Sequence, residues 1–108
     1  MVDGQTKPLR FLGDSLQQIR DFPEDARKEA GVELHKIQQG LEPNDWKPMT
    51  SVGPGVREIR IRDEAGAFRV LYVANIESAI YVLHAFQKKT QQTAKRDLDL
   101  AERRLKGI

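Results

Sequence analysis

Cysteine is absent from the 108 residues, so there is no disulfide framework and no thiolate metal site. No apolar run approaches the roughly 18 residues of a membrane span. Met1-Val2-Asp3-Gly4-Gln5-Thr6 lacks the apolar core of a signal peptide, which makes a cytoplasmic protein the expectation. The two histidines, His35 and His84, stand far apart with no carboxylate pattern beside them, and they make no metal site. A Gly-rich phosphate loop, a Ser/His/Asp constellation and a glycosidase-type carboxylate pair are all missing. An NTPase, a thiol enzyme and a zinc hydrolase are therefore poorly supported, and neither a metal nor a cofactor is expected.

What is present suits one globular domain over residues 1–108, with residues 1–6 as a flexible leader. The chain is 39% apolar and 31% charged, ordinary proportions that argue against global disorder. The formal net charge is only +2, but it is unevenly placed. Residues 1–54 hold seven Lys and Arg against nine Asp and Glu, whereas residues 55–108 hold eleven against seven. A basic half of this kind suits a surface that faces a polyanion.

Pro8–Leu12 predicts a short strand ended by Gly13, and Asp14 or Ser15 can cap a helix carrying Leu16 and Ile19. A second helix opens at Pro23, with Glu24 and Asp25 at its positive end. There Ala26, Ala30, Leu34, Ile37 and Leu41 fall on one face, and Gly40 and Pro43 stop the helix. Residues 43–55, with three prolines and two glycines, predict a loop holding Trp46, Lys47 and Met49. Three sequential strands follow. In Val56–Arg62 the alternation sets Arg60 and Arg62 on one face, and Arg57 with Ile59 and Ile61 on the other. Phe68–Asn75 is apolar on both faces apart from Arg69, as a central strand covered on both sides would be. Ala79–Lys88 ends abruptly in Lys88 and Lys89. A last helix, capped by Thr90 or Thr93, sets Ala94, Leu98, Ala101 and Leu105 on one face. Arginine within a buried strand is costly unless a carboxylate or phosphate satisfies it, so these strands suggest a cationic sheet surface for RNA.

Arg57-Glu58-Ile59-Arg60-Ile61-Arg62, then Phe68-Arg69-Val70-Leu71-Tyr72, then Leu83-His84-Ala85-Phe86-Gln87-Lys88-Lys89-Thr90, then Thr93 and the start of the final helix make a pattern. It resembles the RelE/ParE toxin superfamily, and within it the phage-derived HigB-like branch, over residues 7–105. Ala94 departs from the helix-opening proline frequent in that branch. The resemblance implies a small α+β domain in which two N-terminal helices pack on a twisted antiparallel sheet, in the order β-α-α-β-β-β, followed by a C-terminal helix. It further implies a type II toxin that inhibits translation by cutting mRNA, commonly within the ribosome, and that is restrained by a HigA-like helix-turn-helix antitoxin. The ParE arm of the same superfamily instead binds gyrase, so a non-catalytic basic-sheet module or a ParE-like inhibitor is the alternative.

RNA carries its own nucleophile in the 2′-OH. Cleavage needs that proton removed, the dianionic transition state stabilised and the leaving 5′-oxygen protonated. The catalytic candidates are Arg69, Lys88, Lys89 and His84. At Arg69 the resemblance places a phosphate-contacting arginine, although an ion pair with Glu58 or Asp63 is an ordinary use of such a residue. Lys88 and Lys89 read as RNA contacts or as a solvated strand end. His84 reads as a proton-transfer group or as a satisfied buried imidazole. The RNA-binding candidates are Arg60, Arg62, Lys47 and Trp46. The two arginines offer phosphate forks or an antitoxin contact, while Trp46 stacks on a base or covers the core. Arg57 suits the edge of the core, and His35 the surface.

Overall fold

The computed structural model describes residues 6–108, so Met1–Gln5 of the expected leader lie outside the described residues. The elements are β1 (Leu9–Phe11), α1 (Ser15–Arg20), α2 (Glu24–Gln38), β2 (Trp46–Pro48), β3 (Val56–Asp63), β4 (Gly66–Ile76), β5 (Ala79–Lys88) and α3 (Lys95–Lys106). They build one five-stranded sheet in the order β1-β5-β4-β3-β2. Every pairing is antiparallel except β1 with β5, which is parallel. The expected α+β order therefore holds, with one strand added.

That strand is β2, inside the stretch expected to be a loop. Three residues ending in proline carry no readable periodicity, yet proline is tolerated on an edge strand, and Pro48 sits there opposite Arg57. Two helix ends also differ from expectation. α2 stops at Gln38, and Gly40 turns the chain at φ +83°, so Leu41 is left 60% exposed instead of joining the apolar face. α3 begins after Ala94 with no side-chain cap, because the Thr93 and Thr90 hydroxyls bond to Glu58 and to the Gln92 carbonyl oxygen instead. At α1, Asp14 occupies the capping position without a capping bond.

Period-two alternation divides the sheet. Ile59, Ile61, Phe68, Val70, Tyr72, Ile80, Val82 and Ala85 meet the apolar side of α1 and α2 (Ile19, Ala26, Ala30, Leu34, Ile37) and Phe22. Leu71, Val73, Tyr81 and Leu83 turn the other way, against Met49, Val52 and α3 residues Leu98, Ala101 and Leu105. The central strand β4 is thus apolar on both sides because both are covered. Between Leu71 and Tyr72 the β4–β5 register slips: Leu71 pairs with His84 and Tyr72 with Val82. The slip brings Leu83 and His84 to the same face.

α3 reaches back along its face by one contact at its far end. Arg104 donates from Nη1 to the Leu83 carbonyl oxygen at 2.9 Å and from Nη2 to Asp14 Oδ1 at 2.8 Å. The guanidinium crosses directly over Gly13, where any Cβ would lie within 2.4 Å of it and where φ is +54°. Glycine suits this left-handed position, and a side chain there would push the Arg104 guanidinium off its two acceptors.

Candidate functional site

α3 covers only one end of its face. At the other end, β3, β4 and β5 place side chains in three cross-strand rows, fixed by the register. The outermost row is Arg62, Ala67 and Lys88; the next is Arg60, Arg69 and Phe86; the third is Lys47, Glu58, Leu71 and His84. Five of these ten side chains are Lys or Arg, and only one is acidic. The small Ala67 between Arg62 and Lys88 leaves the outer row open.

Arg69 is the centre of the cluster and is 2% exposed. Its Nη1 donates to the Phe68 carbonyl oxygen at 3.0 Å. Its Nε lies 3.5 Å from Glu58 Oε1 and makes no hydrogen bond. Burial lowers the Arg69 pKa from its ordinary value, Glu58 opposes that, and Arg60 and Arg62 lower it further; a guanidinium nonetheless stays charged. The site therefore holds a buried, cationic fork whose donors exceed the acceptors that the protein supplies. Such a group favours an oxyanion.

Lys88 is held lower than an ordinary lysine, first by burial and next by the Arg69 charge, with Lys47 and Arg60 contributing in the same direction. Its ammonium donates to the Gln91 carbonyl oxygen. Lys89 is exposed and lines a cleft of about 110 Å³ with Lys88, Thr90, Arg96 and Asp97. Lys47 opens onto a second cleft of about 260 Å³, formed with Met49, Gln91, Gln92, Thr93 and Leu98. The two clefts flank the segment joining β5 to α3. A larger cavity of about 320 Å³ lies elsewhere, between the end of α2 and Arg57, Tyr72 and Asn75. It holds none of the clustered cations and has mixed charge, so the cationic rows are the better site.

The register thus brings Arg60, Arg62, Arg69 and Lys88 together, with Lys47 and Lys89 at the margins. His84 lies on the same face but in its floor, 6% exposed, with Nε2 2.8 Å from Asp97 Oδ1 and the ring stacked on Phe86. It is not open to a substrate. Trp46 does not join the cluster. Its pairing with Ile59 turns it to the helix face, where the Arg57 guanidinium lies 3.9 Å from the ring centre and also bridges to Glu42. His35 is exposed on α2.

Sequence reasoning missed Asp97 and the bond of Thr93 to Glu58, but it did offer Glu58 as an ion-pair partner of Arg69, and the structure sets the two 3.5 Å apart. Glu58 was accessible, since period two puts it on one face with Arg60 and Arg62. Asp97 carries no local signal, because its partner His84 is thirteen residues away on β5 and the two meet only when α3 docks. Among the described residues no group of three or more His, Cys, Asp or Glu could hold a metal ion, and no helix is long and apolar enough to cross a membrane.

No curated protein matches the chain. Among solved structures, one chain of the "Crystal structure of the intact E. coli RelBE toxin-antitoxin complex" superposes with a TM-score of 0.56 at 17% identity, covering 78% of this chain and 99% of that one. The likeness establishes a RelE-like fold, as the sequence resemblance implied. The sequence profile of the "Phage derived protein Gp49-like (DUF891)" family matches residues 17–106, from within α1 to the last residue of α3, and the chain belongs to that family.

Proposed function

We propose that this chain is the toxin of a type II toxin–antitoxin system, an mRNA endoribonuclease of the HigB-like kind that acts on ribosome-bound message. A HigA-like helix-turn-helix antitoxin would restrain it. The observation that carries the reading is Arg69, a buried guanidinium with unspent donors at the centre of an open field of cations. Membership of a phage-derived family and a fold shared with a chain of a toxin–antitoxin complex support the same reading.

The geometry suits cleavage through the 2′-OH. Arg69 is placed to take the non-bridging oxygens of the scissile phosphate, where charge grows in the transition state. Arg60 and Arg62 stand on its β3 side and hold the adjoining backbone phosphates. Lys88, in the outer row across Ala67 from Arg62, is placed to exchange a proton with the reacting oxygens. His84 holds Asp97 and the first turn of α3 in place beneath them.

The test is induced expression of the chain, with and without a neighbouring antitoxin, followed by primer extension on abundant mRNAs. New 5′ ends at discrete codons are expected, and the antitoxin should suppress them. Arg69→Ala should reduce them by about 10²–10³-fold, the usual cost of removing one preorganised donor. Growth arrest with intact mRNA would overturn the nuclease reading and point to a ParE-like protein target on the same fold.

A further inference from the structure

We infer that Glu58 is the positioning residue for Arg69, holding its guanidinium at the angle that offers the outer edge to the scissile phosphate. This rests on the nuclease reading above and adds to it a residue that does not touch RNA. Glu58 is the one acidic side chain in the three cationic rows, and it is 1% exposed. A buried carboxylate is costly unless nearly all of its lone pairs are used. Here one oxygen faces Arg69 Nε at 3.5 Å, and the other accepts the Thr93 hydroxyl at 2.8 Å. The carboxylate is therefore hydrogen-bonded by the segment leading into α3 and lies in ion-pair range of Arg69 on the central strand.

The effect on Arg69 is geometric. A guanidinium is flat, so contacts on its two sides, at Nη1 and at Nε, fix its plane and leave Nη2 between them pointing outward. The Phe68 carbonyl oxygen takes Nη1, and Glu58 lies against Nε. Nη2 donates to no protein group among the described residues, and it remains for a phosphate oxygen. Without the carboxylate nothing in the rows opposes Arg60, Arg62 and Lys88, whose charges repel Arg69. The guanidinium would then turn away from its place. A misplacement of about 1 Å costs on the order of 10²-fold in rate.

The experiment measures kcat and KM for cleavage of a defined mRNA on programmed ribosomes, together with the Arg69 Nε–Hε resonance in ¹⁵N NMR. Glu58→Ala should lower kcat about 100-fold with KM within about threefold. Glu58→Gln, which keeps one oxygen for Arg69 and an amide for Thr93, should restore kcat to within about tenfold of the parent. In an Arg69→Ala background, Glu58→Ala should cost nothing further, because its action passes through the missing side chain. The Arg69 Nε–Hε signal should persist in Glu58→Gln and collapse to the solvent-averaged position in Glu58→Ala. Equal losses in both backgrounds, or an unmoved Arg69 signal in Glu58→Ala, would overturn the inference while leaving the nuclease reading intact. A parent protein that cuts no RNA would overturn that reading, with the NMR signal still reporting whether Glu58 holds Arg69. Should Glu58→Ala fail to fold, Thr93→Val takes its place, since it releases the second tether while keeping the charge. It should lower kcat about tenfold in the parent and not at all beside Arg69→Ala, and additivity there would overturn the inference equally.

Discussion

At the scale of single residues, the site is built against its own stability. Arg60 and Arg69 are directly opposed across β3 and β4 on the same face, and like charges so placed destabilise a sheet. Lys88 adds a third cation, and its pKa is lowered first by burial and next by the Arg69 charge. Only Glu58 offsets them within the rows. A protein that needed this face only for folding would place β-branched residues there. Arg60→Thr should accordingly raise the unfolding free energy by about 0.2–1 kcal/mol in urea titration, while RNA cleavage falls. A loss of stability instead would show that Arg60 is structurally paired and that the cluster carries no strain of charge. Elsewhere a buried charge does serve the fold. Glu33 on α2 is 1% exposed and accepts the Asn44 N–H at 2.8 Å. Burial pushes its carboxyl up, but bonds from Glu29, Asn44 and Lys36 together bring it below the ordinary value. Glu33→Ala should destabilise by about 0.5–1.5 kcal/mol by removing that hydrogen bond, with no change in cleavage by the folded protein.

At the scale of elements, α3 is the piece whose docking depends on few contacts. Its first turn reaches His84 through Asp97, the residue before its cap reaches Glu58, and its last turn reaches Leu83 and Asp14 through Arg104. Arg104→Ala leaves the Leu83 carbonyl oxygen without that donor, a loss of about 1–3 kcal/mol. Hydrogen exchange of α3 amides should then accelerate well ahead of the sheet amides. The Arg104 hydrogen bond also holds the Asp14 carboxyl below its ordinary value near 3.8, with Gln18 assisting. A depressed carboxyl stabilises the fold above its unfolded value and loses that contribution as pH falls through the folded one. The parent should thus lose α3 protection as pH falls below about 3.8, and Arg104→Ala should lack that acid-dependent step. How legible each element was follows from the same logic. β3, β4, β5 and α2 were readable because eight or more residues repeat a period. β2 has three residues and no repeat, and reading it as loop misplaced Trp46, whose side is set only by its pairing with Ile59. Arg60, Arg62 and Arg69 were readable by alternation, whereas the His84–Asp97 pair needed the β5 register slip and α3 docking, which no spacing reports.

At the scale of the whole molecule, a net charge of +2 conceals a polar arrangement. The cations collect where β3 ends, β4 begins and β5 ends, while α2 on the far face mixes Glu24, Asp25, Glu29 and Glu33 with Arg27, Lys28 and Lys36. Net charge alone would give weak, uniform attraction to RNA; a clustered face binds phosphates at fixed positions and releases their counterions. The salt dependence of affinity distinguishes these cases. Four clustered contacts, from Arg60, Arg62, Arg69 and Lys88, should give a slope of log K against log salt near −2.8 for single-stranded RNA, at about −0.7 per phosphate. Arg62→Ala, which touches an exposed position and no buried partner, should make that slope shallower by about 0.7. Lys28→Ala removes an equal charge from α2, where Lys28 is paired with Glu24 at 3.0 Å, and it should leave the slope unchanged. Equal changes in both variants would mean that RNA senses only total charge, and the cationic rows would lose their claim to be the binding face.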